Sequence, residues 1–226
     1  MSIATRAPTK PYYTFCGQQL ESVTSHPYLG EITNTLSGGT QTSLSIKKAQ
    51  RAMGVLKRNL ADCRQEVKVT AYQAIVCPLL EYATSAWDPH VKHNINALEK
   101  VQTQAARFCM KEYSRMPGTV TQLMADLNWQ PLQTRRKIAR VTMFYKMVNG
   151  LVDIDLQNYV VKTNRQTRRH NQKYQTMRWK VAAWRDSFFP TTVKEWNELP
   201  PSAVNCNSLE SFKSAAKDHY QSKSKN

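Results

Sequence analysis

The sequence encodes a mainly α-helical protein: a helical bundle preceded by a short β-hairpin/strand region and followed by a basic, partly irregular C-terminal domain. Between residues 42 and 150, apolar residues recur at steps of three and four along successive stretches, which is the period of an amphipathic helix. Before residue 40 the pattern is one of short aromatic and β-branched runs separated by turn residues. Lys162 to Arg185 holds eight basic residues, no acidic one and no clean helical stripe. The boundaries implied are strands over 1–39, a helical domain over 40–150 and a basic domain with a disordered tail over 151–226.

The strand region starts with Tyr12-Tyr13-Thr14-Phe15, followed by a turn at Cys16-Gly17-Gln18-Gln19 and a return strand from Leu20 to Val23. Tyr28 to Thr33 makes a third strand. The first helix starts near Thr42 and buries Ile46, Ala49, Met53, Leu56 and Leu60. Lys47, Arg51, Gly54 and Arg58 lie on its roughly opposite side. A second helix covers residues 64–86, and Glu81 is its only charge between Ala71 and Ala83, as in a buried central helix kinked at Pro78. Asp88-Pro89 ends it.

The third helix, residues 91–109, turns Val91, Ile95, Leu98, Val101, Ala105 and Phe108 inward. Pro117-Gly118 breaks the chain, and Thr119 with Gln122 forms a capping box for a short helix to Leu127. Pro131 and Gly150 bracket a fourth long helix with a buried stripe of Leu132, Ile138, Val141, Tyr145 and Val148. The basic stretch that follows reads as either an ordered loop or a flexible arm. Val193 to Leu199 gives one or two helical turns, and Asn207-Ser208-Leu209-Glu210 caps a last helix to about Tyr220, with the final six residues disordered.

Thirty-two Lys and Arg oppose sixteen Asp and Glu in 226 residues, a net charge of +16 whose field attracts polyanions, nucleic acid above all. No apolar run approaches the ~20 residues that span a bilayer, and residues 1–16 lack a signal-peptide core, so the expectation is a soluble intracellular protein with no membrane partner. Five cysteines without a Cys-x-x-Cys pair, and the lone His90-Val91-Lys92-His93, lead us to expect no metal, no disulfide and no cofactor.

Ser187-Phe188-Phe189-Pro190 with Trp196-Asn197-Glu198-Leu199-Pro200 resembles the C-terminal signature of jockey-like, LINE-type reverse transcriptases, the polymerases of non-LTR retrotransposons. Tyr28-Leu29-Gly30 with Leu36-Ser37 resembles the element that follows the palm in that family. Pro78-Leu79-Leu80-Glu81-Tyr82, Leu98-Glu99-Lys100-Val101-Gln102, Leu132 with Arg135-Arg136, and Phe144 to Gly150 follow in the family's order. The resemblance covers nearly the whole chain. It implies post-palm strands with a primer-grip-like edge at Tyr28, Leu29 and Gly30, a thumb-like helical domain and a C-terminal domain, together a fragment separated from its catalytic half. The chain departs from the family's pattern at Glu31, Gly38 and Thr191.

Polymerisation needs carboxylates that hold two divalent cations, and this sequence has no Asp-Asp pair anywhere. Asp62, Asp88, Asp126, Asp153, Asp155, Asp186 and Asp218 read as caps, turns and exposed positions, so no catalytic residue is expected. No Gly-x-Ser-x-Gly elbow or Walker loop is present either. Binding remains. Lys47, Arg51 and Arg58 on the first helix, and Arg135, Arg136, Lys137 and Arg140 on the fourth, are candidate phosphate contacts to a template–primer duplex, without sequence readout. Arg168, Arg169 and Lys173 add charge in the basic domain, and Tyr174, Trp179 and Trp184 are candidates for stacking on unpaired bases. The competing readings are a solvated basic face, an inert or scaffold-like remnant with no selected partner, or action in trans with a separate palm-bearing polymerase chain.

Overall fold

A computed structural model describes residues 13–21, 25–27, 31–33, 38–163, 172–176, 178 and 182–224. The protein is mainly α, with short antiparallel strand pairs at its N-terminal end. β1 (Thr14–Phe15) pairs with β2 (Gln18–Gln19) across Cys16-Gly17, whose φ angles of 49° and 78° are both positive, as a type I′ turn requires. The return strand therefore starts at Gln18, earlier than the expected Leu20. β3 (Ser25–Pro27) pairs with β4 (Glu31–Thr33), and β4 lies against the start of α1 (Gly38–Asn59). Tyr28, Leu29 and Gly30 lie outside the described residues.

The expected second helix is broken into parts. α2 (Gln65–Ala71) passes through a π-helical turn at Tyr72–Val76 into α3 (Cys77–Glu81). The wide turn falls just ahead of Pro78, whose ring would clash with the preceding carbonyls of a regular α-helix. Ala83 then adopts a left-handed conformation (φ 51°), separating α3 from α4 (Thr84–Trp87). Nor is this segment buried all round. Tyr72, Val76, Cys77 and Leu80 face the core, whereas Val67, Ile75 and Tyr82 are about half exposed. Lys68, by contrast, is 1% exposed: its ammonium donates to the Ala61 carbonyl at 2.8 Å and sits over the Phe108 ring.

α5 (Lys92–Met110) buries Leu98, Val101, Ala105 and Phe108 as its spacing requires, but Val91 is its exposed N-cap. The capping box at Thr119 does not form. Left-handed Gly118 precedes α6 (Thr119–Asp126), the Thr119 hydroxyl donates back to Met116 O, and the Gln122 amide donates to Asp126.

The central helix is α7 (Leu132–Val148). Glu99 of α5 caps it from outside, one carboxylate oxygen accepting from Leu132 N–H and the other from Gln133 N–H. Its far end closes on Gly150: Leu151 N–H donates to Lys146 O and Gly150 N–H to Met147 O, a Schellman pairing that needs the positive φ of 65°. Two apolar clusters meet along this helix. One joins α1, the α2–α3 segment, α5 and α6 to Leu132. The other joins Val141, Phe144 and Tyr145 to α9 (Phe188–Glu198), α10 (Pro201–Val204) and α11 (Leu209–Ser224), which follow the short α8 (Ala182–Arg185). α9 is longer than the one or two turns expected, and α11 carries the chain four residues past Tyr220, through a stretch expected to be disordered.

Candidate nucleic-acid interface

α1 holds Ala49, Met53 and Leu56 in the core, and that fixes the direction of everything else on the helix. Lys47, Arg51 and Arg58 are exposed on the other side, and none of them is in an ion pair among the described residues. With Gln50, Gly54 and Val55 they line a shallow depression of about 510 Å3. A Cβ placed on Gly54 would meet only the Arg58 guanidinium, at 3.7 Å. The helix backbone is therefore accessible in the middle of a cationic row, where a phosphate backbone can approach closely.

The second expected cluster is not such a surface. Arg136 is 1% exposed and Arg140 is 7% exposed, on the same row of α7 as Leu132 and Phe144. Arg136 Nε reaches Asp88 at 2.7 Å, and Arg140 pairs with both Asp88 and Glu195, the latter at 2.6 Å. These two arginines are internal countercharges, and Asp88, expected at an exposed turn, is their largely buried partner. The guanidiniums tie the end of α4 to α7, and α7 to α9. Arg135, one-third exposed, is engaged by Glu81 through Nε at 2.6 Å. Burial pushes the Glu81 and Glu195 carboxyls above the usual glutamate range, against the opposing pull of Arg135 and Arg140.

In the basic domain, Arg168 and Arg169 lie outside the described residues, as does Trp179. Lys173 is partly exposed, and its carbonyl accepts from Thr163 N–H in an isolated antiparallel bridge region. Tyr174 is buried edge-on against Phe144, so it is core and not a stacking platform; Trp184 is exposed. The Trp196-Asn197 pair holds this segment in place. Trp196 is fully buried and its indole donates to Gln172 O, while the Asn197 amide accepts from Tyr174 N–H and donates to Tyr174 O. Phe189 stacks on Tyr159.

Among the described residues no three His, Cys, Asp or Glu side chains gather as metal ligands, and no helix is long and apolar enough to cross a membrane. The sequence reading missed the internal role of Arg136 and Arg140, although both fall on the i, i+4, i+8 row that starts at Leu132. No protein-family model, curated protein or solved structure matches this chain.

Proposed function

We propose that this chain is the post-palm part of a LINE-type, non-LTR retrotransposon reverse transcriptase, and that it acts inside the cell by gripping a template–primer duplex without reading its sequence. The observation that carries this is the row of Lys47, Arg51 and Arg58 on one exposed face of a 22-residue helix, with the accessible backbone of Gly54 between them. Three cations at helical spacing, with no ion pair among the described residues, meet successive phosphates, and a bare backbone lets the duplex come close. The motif resemblance supports the family reading, and the net charge of +16 adds a general attraction to polyanions. Of the four candidate cations on α7, Arg136 and Arg140 leave the interface as internal countercharges, and Arg135 is already held by Glu81.

The chain does not polymerise by itself, because the sequence has no paired aspartates to hold two metal ions. A binding assay with a fluorescent primer–template duplex, run beside an extension assay with magnesium or manganese, tests both statements. Duplex binding with weak sequence preference and no extension is the expected result. Template-dependent extension by the purified chain, or no binding at low salt, contradicts it.

A further inference from the structure

The loop between α5 and α6, residues 111–118, carries two large apolar side chains into solvent, Tyr113 at 62% exposed and Met116 at 71%. Its backbone is nevertheless tied down. Left-handed Lys111 (φ 54°) ends α5, and Glu112 N–H donates to Arg107 O at 3.1 Å. The Arg107 guanidinium donates to Tyr113 O at 3.0 Å, Ser114 N–H to the Glu112 carboxylate at 2.7 Å, and Met116 N–H to the Ser114 hydroxyl at 3.2 Å. A loop held in this way presents Tyr113 in one place, so little ordering entropy is lost when a partner meets it. Lys111 and Arg115 are exposed on either side of Tyr113 in the chain and form no ion pair among the described residues. The loop also has a definite place relative to α1, because Lys68 joins the two. Its ammonium donates to Ala61 O, two residues past the end of α1, and lies 4.9 Å from the centre of the Phe108 ring, three residues before the loop. The row of Lys47, Arg51 and Arg58 therefore runs toward the end of the bundle at which Tyr113 stands.

We infer that Tyr113 is a stacking site for an unpaired base on the strand that continues past the Arg58 end of the duplex held by α1. The ring takes the face of the base, Met116 extends the apolar surface beside it, and Lys111 and Arg115 take neighbouring phosphates. Every base has a π-face, so the contact needs no sequence preference. An anionic bilayer fits less well, although it too draws cations. Surface-bound segments bury the apolar face of an amphipathic helix, whereas residues 112–115 are not helical and the exposed Glu112 stands next to Tyr113. This inference rests on the duplex reading above and adds to it a residue that holds the single strand beside the duplex.

The test uses the full chain and three labelled duplexes followed by fluorescence anisotropy: one blunt, one with a single-stranded thymidine overhang, and one with an abasic overhang of the same length. The wild-type chain binds the thymidine overhang about five- to tenfold more tightly than the abasic one, the lower end of what one stacked base contributes. Tyr113→Ala abolishes that preference and leaves the affinities for the abasic and blunt duplexes unchanged. Tyr113→Phe keeps it, because the ring and not the hydroxyl makes the contact. Tyr113 faces solvent, so neither change disturbs the core. Equal binding of thymidine and abasic overhangs by the wild type overturns the inference, as does a preference that survives in Tyr113→Ala. Vesicles of phosphatidylserine supply the other arm: vesicle binding that is lost in Tyr113→Ala, with no base preference on the duplexes, assigns the loop to a lipid surface and overturns the inference. Binding of all three duplexes without base preference removes the loop alone. Failure to bind any of them at low salt removes the duplex reading and the loop with it.

Discussion

Arg140→Ala should cost far more stability than the loss of a surface arginine. The side chain is 8% exposed and bridges Asp88 and Glu195, each 15% exposed, so its removal leaves carboxylates buried without their shared cation. Breaking a buried pair costs about 3–5 kcal/mol. Asp88 keeps Arg136, and Lys137 still acts on Glu195, which places the expected loss at the lower end, about 3 kcal/mol. For a chain of this size that corresponds to a fall in Tm of about 6–12 °C. The loss also depends on pH in a definite direction. Burial already raises the Glu195 carboxyl above its ordinary range, and Arg140 opposes that rise. Without Arg140 the folded-state value moves further above the unfolded value of about 4.3. The folded state then binds the proton more tightly, and stability is regained as pH falls from the raised value toward the ordinary one. Urea denaturation at pH 8 and pH 5 measures this. The deficit should be largest at pH 8 and smaller at pH 5, and Arg140→Met combined with Glu195→Gln should recover part of it. A deficit under about 1 kcal/mol at pH 8, or one that grows toward pH 5, refutes the assignment of Arg140 as an internal countercharge.

Glu99→Ala leaves the Leu132 and Gln133 N–H groups uncapped, and should lower stability by about 0.5–2 kcal/mol in chemical denaturation. Gly54→Ala fills open space beside Arg58, so it should raise stability by up to about 1 kcal/mol while weakening duplex binding; a stabilised variant with unchanged affinity would show that close backbone approach is not used. Ile75 and Tyr82, half exposed on the α2–α3 face, should drive concentration-dependent association at high salt, and Ile75→Lys/Tyr82→Lys should shift sedimentation toward monomer.

The helices were readable wherever one apolar stripe dominated. The core face of α1, most of α5, the Gly150 terminator and the Ser208 cap, whose hydroxyl accepts from Ser211 N–H, all follow from local chemistry. The sequence could not place what depends on distant partners. Arg135-Arg136-Lys137 looks like a surface charge run, and only the α4 turn and α9, far away in sequence, supply the carboxylates that let Arg136 and Arg140 turn inward. Lys68 escapes for the same reason, since its carbonyl and aromatic partners come from other elements. The apolar composition of residues 71–83 reads as complete burial, but periodicity carries no record of the π-helical turn or of the left-handed Ala83 that rotate Ile75 and Tyr82 toward solvent. On the candidate interface, the α1 row was legible because exposure is what remains when the opposite face is apolar.

The salt dependence of duplex binding tests the central claim most directly. The logarithm of the affinity for a primer–template duplex is measured against the logarithm of salt concentration for the wild type and for Lys47→Ala/Arg51→Ala/Arg58→Ala. Three lost phosphate contacts should flatten the slope by about 2.7, at ~0.9 per contact. Removing Lys173 and the neighbouring Arg168 and Arg169 supplies a control of equal charge, and it should change the slope by less. A triple α1 variant with the wild-type slope, or a control that flattens it equally, contradicts the assignment of the α1 face as the duplex grip.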